Sequence, residues 1–147
     1  MTFIIKRLTR KLMIVIIAAF ELAKPRRDGH PEPLQAPMKA LTLKRYGKSP
    51  DIGFSDVPRP ALKADEVLVQ VHAASVNPID NMIPTGLFKA VVKFQLPATL
   101  GSDLAGVVTE VGSQVTRFKV GDAIFANIFD LGTGAIAEWA VVPESAA

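Results

Sequence analysis

The chain has 147 residues, 49% of them hydrophobic, and no cysteine. That composition suits one globular domain with a real core and excludes a disulfide framework or a thiolate metal site. The formal charge of +3 sits at one end: residues 1–37 hold seven basic against three acidic side chains, the remainder ten against eleven. A nearly neutral body has no electrostatic footprint for nucleic acid, which is excluded as a partner.

The first 37 residues read apart from the rest. A basic stretch, Lys6 to Lys11, precedes nine uninterrupted apolar residues, Leu12 to Phe20. Nine residues of helix cover only about half of a hydrocarbon core of roughly 30 Å, so no membrane span is expected. The order imitates a secretory signal, but Phe20 to Ala23 offers no small-x-small cleavage site. Residues 23–37 contain four prolines and clustered charge and read as a linker, with His30 a solvated residue. Three readings stay open: translation from upstream of a true start at Met38, a weak export or membrane-surface segment, or an extra helix on the domain. The domain boundary is placed at 37/38. A cysteine-free chain fits a reducing compartment, and a cytoplasmic location is expected.

From Met38 the chain reads as strands. Lys39 to Leu43 alternates as a first strand, and Ile52 to Val57 as a second. Pro58 and Pro60 close the second, which places it at an edge or ends it there, because proline donates no ladder hydrogen bond. Val67 to Ala73 has the clearest period of two. It puts Val67, Val69, Val71 and Ala73 on one face and Leu68, Gln70 and His72 on the other. His72 has no acidic or histidine partner at metal spacing and reads as a half-buried structural residue. Asn77, Pro78 and Asp80 then suit the cap, first and third positions of a short helix, which Pro84 limits to about one and a half turns. Leu87 to Leu96 reads as a helical turn or a flap.

Residues 100–126 form the organising hairpin. Leu104 to Val111 is a strand, and Gly112-Ser113 a corner where glycine would permit positive φ. Val115, Phe118 and Val120 are apolar anchors of the loop. Gly121-Asp122 makes a second turn before the strand from Ala123 to Ala126. Ala135 to Val142 reads as the last strand, with Trp139 as packing. Gly132 to Ala137 matches the G-x-G-x-x-A of dinucleotide loops. A polar loop precedes it and a β-like run follows, so the strand-before, helix-after context of that fingerprint is missing.

VLVQVHAASVNPID, then LPATLGSDLAGVVTEVGSQVTRFKVGDAIFA, then GAIAEWAVVPES resemble the N-terminal domain of medium-chain dehydrogenases/reductases. The nearest branch is the zinc-independent, zeta-crystallin-like quinone oxidoreductases. The resemblance covers about Met38 to Ala147. It implies a mainly β fold, a GroES-like, partly open β-barrel with one or two short helices and no Rossmann domain in this chain. In zinc-dependent relatives a cysteine ligand stands at the position of Asn77, and Gly-His-Glu where this chain has Gly101-Ser102-Asp103. Carboxamide and hydroxyl are poor zinc ligands, so no metal is expected.

The resemblance further implies hydride transfer from NADPH to a quinone or α,β-unsaturated carbonyl, the small-molecule substrate. Asn77 and Asp80 are the residues expected to serve catalysis, Asn77 positioning nicotinamide and substrate through its amide and Asp80 ordering the loop. Asn77, Ser102 and Asp103 are expected to line the cofactor side. Most of the NADPH site would lie on a domain beyond this one. The chain then reads as a fragment, inactive alone, of relatives expected to be homo-oligomers. The alternative is a non-enzymatic β-barrel remnant or binding module.

Overall fold

The valine-rich run that opens at Glu66 becomes the central strand of the larger sheet. In the computed structural model, which describes residues 36–90, 94–129 and 134–147, the order of elements is as follows. Strand β1 is Met38–Arg45, β2 Asp51–Val57 and β3 Glu66–Ser75. The helix α1, Pro78–Met82, follows, and then β4 Ala98–Thr99, β5 Asp103–Val111, β6 Ala123–Asn127 and β7 Trp139–Pro143. The described residues are mainly β, with one short α-helix among them, extended by a 3-10 turn at Ile83–Thr85. The described part of the 87–96 stretch begins with turns, and residues 91–93 of it lie outside the described residues, as does the whole of 1–35. Among the described residues no helix is long and apolar enough to cross a membrane.

Two antiparallel sheets carry the fold, one in the order β2-β1-β4 and one in the order β6-β5-β3-β7. β2 lies at an edge and ends at Val57, just before Pro58, which has no N–H to donate to a ladder. Among the described residues the sheets are not closed into one barrel. Residues 134–138 strap them together instead. Leu41 donates to the Ile136 carbonyl (2.9 Å), Glu138 donates to Lys39 (3.0 Å), and Val71 donates to the Glu138 carbonyl (2.9 Å). A single bridge pairs Ala40 with Ala137. Regular pairing of the last strand therefore begins at Trp139 and not at Ala135. Gly132 and Thr133 lie outside the described residues, and residues 134–138 form bends and a single bridge where a dinucleotide loop would start a helix.

The main core joins Val67, Val69 and Val71 of β3 to Leu104 and Val108 of β5, Ile124 of β6 and Val142 of β7. Each buried valine contributes about 1.5–3 kcal/mol relative to exposure. The β3–β5 register shifts twice: at Leu68/Val69 the extra residue is Thr109 on β5, and at Val71/Ala73 it lies on β3 itself, where it breaks the simple alternation expected for that strand. At the second shift His72 is the unpaired residue. Two expectations are corrected by it: His72 is exposed, and Ala74, not Ala73, takes the fully buried position.

The hairpin corner also differs from expectation. Gly112 does not have positive φ. A side chain there would lie 2.2 Å from the Lys63 carbonyl oxygen, so the residue is needed for close approach of two backbones. Gly121, with φ of +93°, is the position that needs left-handed backbone. Val115 and Phe118 pack on the main core, whereas Val120 is exposed. Trp139 packs against the small cluster of Met38, Ala40 and Ala137, with the Arg59 guanidinium 3.7 Å over its ring.

Candidate active site

Strand register builds the site. Ser75 ends β3, Asp103 begins β5 and Asn127 ends β6, and the ladders pair Ser75 with Asp103 and Asp103 with Asn127. Three polar residues therefore stand in one row across one end of the larger sheet. Asn77 follows two residues after Ser75, where the chain leaves β3 and turns into α1.

The Asp103 carboxylate is the centre of the row. One oxygen, Oδ2, accepts from the Ser75 hydroxyl (3.1 Å) and from the Asn77 side-chain nitrogen. The other, Oδ1, accepts from the Asn127 side-chain nitrogen. Asn127 is held at its other end too, since its Oδ1 accepts the Phe129 N–H at 3.1 Å. An open cleft of about 440 Å³ lies over these groups, lined by Asn77, Ile79, Ser102, Asp103, Asn127 and Phe129. Ile79 and Phe129 pack beneath it on the cluster of Leu43, Ile83 and Leu100, which seats α1 and the segment after β6 on one apolar support.

Three of the four residues singled out from the sequence, Asn77, Ser102 and Asp103, meet in this cleft. Asp80 does not line it. It is buried below α1, where its Oδ2 accepts the Asn77 backbone N–H at 2.7 Å. Its Oδ1 is buried without a hydrogen-bond partner. Burial pushes the Asp80 carboxyl above its ordinary value; the bond from Asn77 opposes that shift and the nearby Asp103 adds to it. Sequence reasoning missed Ser75 and Asn127. Nothing local marks them, and only the two ladders bring them to Asp103.

Gly101 completes the wall. It has φ of +88°, and a side chain there would meet Ile136 at 2.4 Å. Its carbonyl accepts the N–H groups of Gly134 and Ala135, fastening the strap beside Ser102. Among the described residues Asp103 is the sole titratable one lining the cleft. No three His, Cys, Asp or Glu side chains among the described residues are grouped to hold a metal ion. A second concavity of about 390 Å³, near Thr42 and Ser55 on the smaller sheet, contains none of these residues.

The alcohol dehydrogenase GroES-like domain model matches residues 63–147, which include β3, the helix, the hairpin and every residue of the cleft. The chain belongs to this family. The GroES-like domain is 38% identical over 109 residues to a spinach protein named a chloroplastic quinone-oxidoreductase homolog, covering 74% of this chain and 33% of that protein. It is 38% identical over 114 residues to the chloroplastic NADPH-dependent alkenal/one oxidoreductase of Arabidopsis thaliana, covering 73% and 29%. Its fold matches the quinone oxidoreductase of Coxiella burnetii with a TM-score of 0.67 and 31% identity, over 75% of this chain and 36% of that one. The similar proteins are quinone and alkenal/enone oxidoreductases of the medium-chain dehydrogenase/reductase superfamily, and the chain corresponds to their N-terminal part. It spans about one third of the length of these relatives.

Proposed function

We propose that this GroES-like domain, Met38 to Ala147, is the substrate-facing half of an oxidoreductase that reduces quinones or α,β-unsaturated carbonyls with NADPH. The observation that carries the reading is the cleft itself: two carboxamides and a serine beside an apolar floor, at the end of a rigid sheet. The similar proteins bear names of quinone and alkenal/one oxidoreductases, which supports the same chemistry. That β1 begins at Met38 supports the domain boundary, and the cysteine-free sequence supports a reducing, cytoplasmic setting.

The residues present fit the nicotinamide end of such a cofactor and no more of it. Carboxamide and hydroxyl groups match a nicotinamide carboxamide or a substrate carbonyl. When bound, the cofactor supplies the hydride. This chain's own residues orient the reacting partners: Asn77 and Asn127 offer N–H donors, Ile79 and Phe129 shield the floor from water, and Asp80 holds the Asn77 backbone from behind. Among the described residues no lysine, arginine or histidine lines the cleft, and solvent is the proposed source of the proton that completes reduction.

Binding of the 147-residue chain to NADPH, followed by calorimetry, tests the split-site reading. Millimolar or weaker affinity is expected, together with no quinone-dependent oxidation of NADPH by the chain alone. The coding sequence beyond Ala147 should supply a βαβ unit with a glycine-rich turn, and the longer protein should oxidise NADPH when a quinone or enone is added. Submicromolar binding to the chain alone would overturn the reading.

A further inference from the structure

Within the cleft one group touches every other polar side chain except Ser102. The Asp103 carboxylate accepts three hydrogen bonds, from Ser75, Asn77 and Asn127, which arrive from β3, the turn after β3 and β6. A carboxylate has about four lone-pair sites, so three donors nearly saturate it and leave little acceptor capacity for a ligand. The bonds are also directional in their effect. Each carboxamide turns its nitrogen toward Asp103, and for Asn127 the opposite end is fixed by the Phe129 N–H. Neither amide is free to flip. Each –NH2 still has a second N–H beyond the one given to Asp103.

We propose that Asp103 is a positioning residue that sets the Asn77 and Asn127 carboxamides as a pair of N–H donors for one carbonyl-bearing ligand, with Asn127 a ligand-binding residue alongside Asn77. The proposal rests on the reading of this cleft as the nicotinamide and substrate site, and it moves Asp103 from direct cofactor contact to a supporting role. The physical basis is the ladder. Because Ser75, Asp103 and Asn127 are register partners on adjacent strands, the carboxylate is held between its donors by backbone pairing and not by a mobile loop. Groups pre-oriented in this way lose little freedom when a ligand arrives. Ser75 contributes a bond to the carboxylate but does not line the cleft, so it belongs to the support and not to the contact surface.

The test is nuclear magnetic resonance of the full 147-residue chain, labelled with nitrogen-15 and carbon-13. In the unsubstituted protein, scalar couplings across the hydrogen bonds should connect the Asn77 and Asn127 side-chain nitrogens to the Asp103 carboxyl carbon. Asp103→Asn has one acceptor oxygen instead of two, so it should release at least one carboxamide and shift its –NH2 signals. Titration with NADPH at millimolar concentration should move the –NH2 signals of both Asn77 and Asn127. In Asp103→Asn, and separately in Asn127→Ala, the NADPH dissociation constant should rise several-fold while Ile52→Ala, on β2 and outside the cleft, leaves it within about twofold.

Absence of the couplings in the unsubstituted chain overturns the proposal whether or not any variant folds. So does NADPH movement of Ser102 and Phe129 with Asn127 unmoved, a result that leaves the cleft reading intact. Couplings present with no NADPH response anywhere in the cleft would instead overturn the cleft reading and, with it, the ligand role given to Asn127.

Discussion

The two sheets differ both in the apolar content of their strands and in how those strands are covered. In the larger sheet, β3 buries Val67, Leu68, Val69 and Val71, and β5 buries Leu104 and Val108. In the smaller sheet, β2 buries no residue fully and leaves Ile52 and Phe54 exposed, Phe54 at 62%. The larger sheet is therefore covered more fully, while in the smaller one burial is confined to β1, through Met38, Ala40 and Leu43; the 134–138 strap joins the two. The polar row of the cleft lies on the larger sheet. A site that needs fixed geometry is better supported by dense packing than by an edge, because close-packed side chains hold the backbone in one arrangement.

The sharpest way to break this comparison uses two glycines. A side chain at Gly106 in β5 would lie 2.1 Å from the Gln70 carbonyl oxygen and 2.8 Å from Val69, whereas one at Gly53 in β2 would meet nothing within 4 Å. Gly106→Ala should cost about 3 kcal/mol and Gly53→Ala change stability by no more than about 0.5 kcal/mol, read from urea midpoints. Equal effects would show that the two sheets are equally constrained.

Side-chain truncation gives the next contrast. Val69→Ala in the main core should destabilise by roughly 2–3 kcal/mol, and Ile52→Ala on β2 by less than about 1 kcal/mol. The strap comes third. Gly101→Ala forces a left-handed residue to carry a side chain against Ile136 and should cost about 2 kcal/mol. It should also speed hydrogen exchange at Gly134 and Ala135, whose N–H groups bond the Gly101 carbonyl.

Protonation separates two acidic groups of opposite sign. Asp80 has a raised pKa, chiefly through burial, so the folded state holds its proton more tightly than the unfolded chain. Its contribution is full below the ordinary value of 3.8 and is lost as pH rises through the raised value. Glu144 is the reverse. The N–H groups of Arg117 and Thr116 bond its side chain and hold it below the ordinary value of 4.5. Its contribution is present above that value and is lost as pH falls through the lowered one. Asp80→Asn should remove a stability loss on raising pH, and Glu144→Gln a stability loss on lowering it. Thermal midpoints measured across the acid range check both signs.

The smallest effect belongs to Lys39 and Asp56, register partners of β1 and β2 joined by a 2.6 Å ion pair with both side chains more than half exposed. A double-mutant cycle there should give about 0–1 kcal/mol, falling further with added salt.

Much of the chain was legible locally. Alternating residues marked β1 and β3, the two prolines put β2 at an edge, and Asn77-Pro78 with Pro84 bounded a short helix. These signals depend on neighbours in sequence, and the backbone obeys them wherever it packs. Asn77, Ser102 and Asp103 were found through a family resemblance, since no spacing among them declares a site. Ser75 and Asn127 were hidden because they reach Asp103 only through pairing across 28 and 24 residues.

The sequence by itself determined the strands, the turns and the apolar surfaces that drive them together. Tertiary structure alone decided the register: the shifts that turn His72 outward and bury Ala74, the close approach that makes Gly112 necessary, and the row that centres three donors on one carboxylate. The reason is physical. A one-residue slip exchanges the two faces of a strand, and what selects among slips is packing between segments far apart in the chain.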